Sequence, residues 1–199
     1  MGSIASCTIP GSQVIHAQIT SPLTIIVLVV VIAITPLALY LGRRRRGLPT
    51  KAVIALTLAV IVPVAGIIIA LPYTTAKPDL DYGAWLEGHM LEVRFYSSKV
   101  VEFNLCNTNV SLIDRSELGH LLKYRSFGVG DPLAGIDLGY FKTRDGRTAY
   151  VVVVGKDVGK LLVADDGSKV AVIGVKCPSG VSSLYKAIME AKADCRGTR

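Results

Sequence analysis

Two uninterrupted apolar runs fill much of the first third of the chain, residues 23–41 and 52–71, and neither contains a charged side chain. A bilayer core needs roughly 20 residues of helix. Only a helix satisfies its own amides there, because lipid offers no partner. The pattern therefore predicts two transmembrane helices, each with one internal proline, Pro36 and Pro63. Neither run offers an ionisable residue to line a conduit, so a packed antiparallel hairpin is expected rather than a transport path.

After residue 88 the period changes from helical to alternating. Leu91, Val93 and Phe95 alternate with Glu92, Arg94 and Tyr96, as on a half-buried strand. Ser97-Ser98-Lys99 turns the chain into Val101, Phe103 and Leu105, and a short strand follows at Val110–Ile113. Ser116 is placed to cap a short helix, Glu117–Tyr124, with Leu118, Leu121 and Leu122 on one face. The glycine-rich stretch Ser126–Gly135 reads as irregular. Ile136–Phe141 then leads to Asp145-Gly146, a hairpin signal. Ala149–Val154 is nearly all β-branched and reads as a central strand buried on both faces. Leu161–Ala164 and Val170–Val175 flank a second hairpin at Asp165-Asp166-Gly167-Ser168. Val181, Leu184, Tyr185, Ile188 and Met189 recur at helical spacing and make one apolar stripe after Pro178.

This gives a membrane α-hairpin followed by an α+β soluble domain of about seven strands with a C-terminal helix. The expected divisions are an exposed tail over 1–22, a helix over 23–41, a basic turn over 42–51, a helix over 52–71, a linker over 72–88 and the domain over 89–195. The linker reading rests on Pro72 and Pro78.

Charge fixes an orientation. Arg43, Arg44, Arg45, Arg46 and Lys51 lie between the two runs, while residues 1–22 hold no Lys or Arg. Just beyond the second run only Lys77 stands against Asp79, Asp81 and Glu87. Short loops rich in Lys and Arg stay in the cytoplasm, so the turn is expected inside and both termini outside. A cleaved signal peptide would carry its positive charge before the apolar stretch, not after it. The net charge of +7 would suggest nucleic acid if it were spread over the domain. Without those five residues, 17 basic side chains face 15 acidic ones, and no basic face remains.

Seven antiparallel strands with a C-terminal helix is the order of a pleckstrin-homology-like barrel, and the local wording agrees. Leu122-Lys123-Tyr124-Arg125-Ser126-Phe127-Gly128-Val129-Gly130, then Gly135-Ile136-Asp137-Leu138-Gly139-Tyr140-Phe141, then Arg144-Asp145-Gly146-Arg147-Thr148-Ala149-Tyr150 resembles the bacterial pleckstrin-homology family. The shared features are an Arg-x-x-Gly-x-Gly loop, a Gly-x-Phe strand, an Asp-Gly hairpin and the final helix. The resemblance spans residues 88–192 and implies a non-catalytic binding or scaffolding module. The first hairpin offers only Lys99 and Arg94, a departure from the lipid-binding members, whose headgroup ligands need more cations.

Candidate chemistry is sparse. Cys7, Cys106, Cys177 and Cys195 show no Cys-x-x-Cys spacing, so neither zinc nor a redox dithiol is predicted. An even number outside the cytoplasm favours disulfides. Cys177 and Cys195 flank a helix of about 15 residues, which holds them over 20 Å apart. Cys106 is therefore expected to pair with Cys195, or failing that with Cys177. Asn109-Val110-Ser111 is a glycosylation sequon, usable only outside the cell. The loop at Gly128–Gly135 lacks the Gly-Lys-Ser/Thr ending of a phosphate loop and is read as a contact surface, with Arg125, Phe127 and Tyr140 as its anchors. His16, His89 and His120 have no partners at ligand spacing.

The sum is a multi-pass membrane protein with no cofactor, no nucleic acid and no small-molecule substrate, whose partner is another protein or a second copy. Three rivals stand beside it. One is the inverted topology, with a cytoplasmic domain binding peptide or lipid headgroups. The second is a hydrolase with a dispersed site drawn from Ser97, His89, His120 and Asp131. The third is a pore-forming oligomer.

Overall fold

Among the described residues a strand comes first, within the segment that reads as a tail. In the computed structural model, which describes residues 5–46 and 49–197, β1 (Ala5–Pro10) is followed by α1 (Gly11–Ile19). Cys7 and Ile9 alternate inward from β1, and Val14, Ile15 and Gln18 bury one face of α1. Short length and Ser/Thr punctuation hide this segment from periodicity, because one strand and two turns of helix are too little pattern to register. The first four residues lie outside the described part.

The two apolar runs are α2 (Pro22–Arg46) and α3 (Thr50–Thr75), packed against each other. Their segments Pro22–Gly42 and Thr50–Thr75 are long and apolar enough to cross a membrane, and neither is buried inside the protein. Ser21 starts α2: its Oγ accepts the Thr24 N–H at 3.1 Å. Arg43–Arg46 are not a turn but the end of α2, since arginine is a good helix former and cations suit a helix C-terminus. Of the rest of the expected turn, Gly47 and Leu48 lie outside the described part, and Thr50 and Lys51 already belong to α3.

The expected linker is also structured. α3 continues to Thr75, and β2 (Asp81–Glu87) already belongs to a sheet. Tyr82 is fully buried there. Its hydroxyl donates to the Ser97 carbonyl at 2.5 Å and accepts the Lys77 N–H at 2.8 Å.

β3 (Met90–Tyr96) and β4 (Lys99–Asn104) complete a four-stranded antiparallel sheet in the order β1-β2-β3-β4. The remaining strands are β5 (Asn109–Asp114), β6 (Leu122–Asp131), β7 (Ile136–Thr143), β8 (Thr148–Val154), β9 (Lys160–Asp165) and β10 (Lys169–Val175). They form a six-stranded sheet, β5-β9-β10-β8-β7-β6. So there are ten strands in two sheets among the described residues, not about seven in one barrel, and neither sheet closes on itself.

The β9–β10 hairpin explains the difference. It folds back so that β10 lies antiparallel to β9 and parallel to β8. β8 invites this arrangement because it is apolar on both sides. Val152 and Val154 face the inter-sheet core, while Ala149, Val151 and Val153 face the other side. Such a strand fits a sheet covered on both faces.

Between the sheets, Leu91, Phe95, Phe103, Leu138 and Ile173 form the main core. α5 (Val181–Gly197) buries Val181, Leu184 and Ile188 against it, as the stripe predicts. Met189 stays 43% exposed at the stripe's edge. The second core is covered by the link from β5 to β6, which are opposite edges of the sheet, so this link must cross its outer face. That link is a 3₁₀ turn at Arg115–Glu117 and a single helical turn, α4 (Leu118–Leu121). The helix expected to Tyr124 is cut short because Leu122 already pairs with Thr143 in the sheet.

Candidate binding site

The stretch expected to be irregular, Ser126–Gly135, is mostly strand. β6 and β7 pair tightly where Gly128 faces Gly139, both with φ of +127°. A methyl on either would collide with the carbonyl across the ladder, Leu138 O or Phe127 O. Glycine here permits a close approach of two strands, not a flexible loop. Only the Pro132–Gly135 connection lies outside the strands, and the Asp131 carboxylate sets it by accepting the N–H groups of Leu133 and Ala134, each at 3.0 Å.

β6 is the last strand of its sheet, and residues 123–127 are all exposed. Phe127 is 59% exposed; its ring meets Tyr96 at 5.2 Å and Tyr140 at 6.4 Å between centroids. Tyr140 in turn packs with Phe95 at 4.9 Å and Tyr150 at 5.7 Å. Of the three expected anchors, Phe127 and Tyr140 therefore belong to one aromatic cluster, with Tyr140 the half-buried support and Phe127 the exposed tip. Arg125 precedes a ladder irregularity between it and Phe127. Its guanidinium lies over Gly130, beside the Asp137 carboxylate, in space that a larger side chain at 130 would take. Burial pushes the Asp137 carboxyl above its ordinary range; Arg115 and Arg125 pull it back, and Asp131 adds to the rise.

The C-terminal end of β6 meets the roots of the apolar helices. A cavity of about 220 Å³ lies between Leu23 and Val27 of α2, Leu71 of α3 and Val129–Asp131. Gln18 of α1 lines it. The Gln18 Oε1 accepts the Thr75 hydroxyl at 3.0 Å, whereas its buried Nε2 has no hydrogen-bond partner. The hollow is mostly apolar, with that one unsatisfied amide on its wall.

The other expected residues are dispersed. Cys106 and Cys195 form a disulfide, with Cα atoms 5.5 Å apart, because α5 ends beside the turn that follows β4. Cys177 pairs with Cys7, Cα atoms 5.1 Å apart, and not with Cys106. The alternative fails because β1 runs alongside the segment before α5 and brings Cys7 there. The only clue in the sequence was that four cysteines leave a partner over once one pair forms. Asn109 is exposed at the start of β5 and lines a larger cavity, about 510 Å³, with Glu117, His120 and Asp165. Lys51 lies in the first turn of α3. Trp85 is half-buried in β2 under the Arg94 guanidinium, 5.1 Å from its ring centroid.

The four hydrolase candidates do not converge. Ser97 and His89 cap opposite ends of β3, His120 is on the outer face in α4, and Asp131 ends β6. His16 is exposed on α1. No family model, curated protein or solved structure matches the chain.

Proposed function

We propose that this chain is a membrane-anchored, non-catalytic binding or scaffolding protein that holds its β domain on the extracytoplasmic side and meets a protein partner along β6. The observation that carries it is the open edge of β6. There an exposed aromatic, braced from below, and an arginine stand on a rigid strand rooted beside the anchor. Aromatic and arginine side chains are the anchors interfaces favour. An open edge accepts an extended segment of a partner as an added strand. The pleckstrin-homology resemblance adds only the expectation of a binding module.

Two features support the orientation. β1 pairs with β2, so the segments before α2 and after α3 leave the hairpin on one side. With Arg43–Arg46 between the spans, that side is the outer one. Two disulfides also suit an oxidising compartment.

A photo-crosslinking residue at Phe127 in native membranes should give a discrete adduct, absent when it is placed at exposed Glu190 and lost on Arg125→Glu. An adduct-free Phe127 site, or the same adducts from Glu190, overturns the surface. A Ser183→Cys variant, exposed on α5, should react with an impermeant maleimide in intact cells. Protection until lysis reverses the orientation and leaves the inverted topology.

A further inference from the structure

At the end of the domain away from the anchor, three side chains from three separate elements converge. His89 sits in the two-residue turn between β2 and β3, Cys106 follows β4, and Cys195 lies near the end of α5. Their ligating atoms lie within 4.8 Å of one another, and His89 Nδ1 is 3.5 Å from Cys195 Sγ. We propose that the reduced form of this cluster is a zinc site, with the Cys106–Cys195 disulfide as its closed, metal-free state.

The distances fit. Tetrahedral zinc at about 2.3 Å from sulfur and about 2.0–2.1 Å from nitrogen puts S and N ligands about 3.5 Å apart and two sulfurs about 3.8 Å apart. One nitrogen–sulfur edge, His89 Nδ1 to Cys195 Sγ, is already in place. Rotation about the Cα–Cβ bonds must separate the two sulfurs and set Cys106 Sγ, which lies within 4.8 Å of His89 Nδ1, at the second such edge. The turns that carry them have supports independent of the disulfide. The Leu105 N–H donates to the His89 carbonyl at 2.9 Å, the Cys106 N–H to the Asn104 side chain at 3.0 Å, and Lys192 Nζ to the Thr108 carbonyl. Gly88, with φ of +57°, permits the tight turn that presents His89.

A dithiol reductant would supply two electrons and two protons, opening the disulfide to two thiols while its own sulfurs join. Zinc then binds as both thiols release their protons, with neutral His89 donating its Nδ1 lone pair. Two thiolates, one imidazole and Zn²⁺ sum to no net charge. Exposure of His89 and Cys106 leaves the fourth position to water. The same exposure makes the reduction selective, because the Cys7–Cys177 bridge is buried, Cys7 completely.

The test uses the full chain in mild detergent, reduced with a phosphine, its free thiols mapped by alkylation and peptide mass spectrometry. Cobalt titration should give thiolate charge-transfer absorption that saturates at one Co²⁺ per chain and is displaced by Zn²⁺. The oxidised protein should give none. His89→Ala, on an exposed turn, should keep its far-ultraviolet circular dichroism yet weaken zinc binding at least tenfold, since losing a group that merely orients a zinc ligand already costs 10–100-fold. Cys195→Ser should abolish the charge-transfer band. No cobalt uptake by protein whose Cys106 and Cys195 are mapped as thiols overturns the proposal. So does undiminished affinity in His89→Ala, or equal uptake by the oxidised chain.

Discussion

Gln18→Met should make the protein more stable, although it removes a hydrogen bond. The Thr75 hydroxyl has a single proton and two neighbours, Gln18 Oε1 at 3.0 Å and the Pro72 carbonyl at 2.8 Å. When the amide is gone the hydroxyl keeps the carbonyl, so no new unpaired group appears. What disappears is a buried Nε2 with no partner. Leaving such a donor unsatisfied costs about 1–3 kcal/mol, while an intramolecular hydrogen bond contributes about 0.5–1.5 kcal/mol net. Methionine has nearly the same helix propensity and is unbranched like glutamine, so α1 should accept it. The balance is a gain of about 1 kcal/mol. Urea unfolding of the full chain in detergent can measure it from the fluorescence of Trp85, the only tryptophan. The midpoint should rise at unchanged slope. A loss of about 1 kcal/mol or more would refute the reasoning, because the amide would then be satisfied by something in the cavity that methionine cannot hold.

Three more predictions test the packing and the charge cluster. Ile188→Ala, at a fully buried position of α5, should cost about 2–5 kcal/mol in the same unfolding assay. Gly139→Ala forces a Cβ against the Phe127 carbonyl at φ +127°, and should cost at least about 1–3 kcal/mol. A wild-type-like midpoint would mean the β6–β7 ladder is looser than described. Because burial raises the folded-state pKa of Asp137, the folded form binds its proton more tightly than the unfolded form does. Its contribution therefore falls as pH rises from the ordinary carboxylate value through the raised one. Asp137→Asn should flatten stability against pH across that window, and an unchanged slope would assign the shift elsewhere.

Much of the fold could be read in the sequence where side chains alternate by a rule. β3 and β4 alternate as their periods predict, β8 is buried on both faces as its β-branched run predicts, and both Asp-Gly turns join the strands expected. The stripe of α5 buries three of its five positions. Failures came where a local signal had two meanings. Glycines at 128, 130 and 135 suggested a loose excursion, but at 128 the missing side chain lets two strands touch. Leucines at 118, 121 and 122 suggested a longer helix, but the last of them was already committed to β6. The parallel β8–β10 pair has no local signal, because hairpin chemistry predicts neighbours in sequence and says nothing of a strand inserted between them. The candidate site follows the same division. Arg125 and Phe127 stand out in the sequence and lie exposed on β6, whereas the Gln18 cavity depends on a segment that reads as a tail.

That segment changes how the two apolar helices join the domain. α2 and α3 are not joined to the domain by a single linker; they are inserted between β1 and β2, adjacent strands of one sheet. Two connections therefore cross from helices to sheet. The Gly11 N–H donates to the Leu80 carbonyl at 2.7 Å, and the Ser97 N–H donates to the Thr75 carbonyl at 2.6 Å, joining the ends of α1 and α3 to the base of the domain. A single linker would let the domain swivel, but two braced connections resist rotation about either one. In any bilayer that α2 and α3 cross, the base of the sheet and the Asp131 end of β6 are held near the surface, while His89 and the Cys106–Cys195 bridge point away. The two proposed sites thus face different surroundings. A partner at β6, as proposed, would arrive along the membrane, and the proposed metal site would be open to a diffusing reductant or metal.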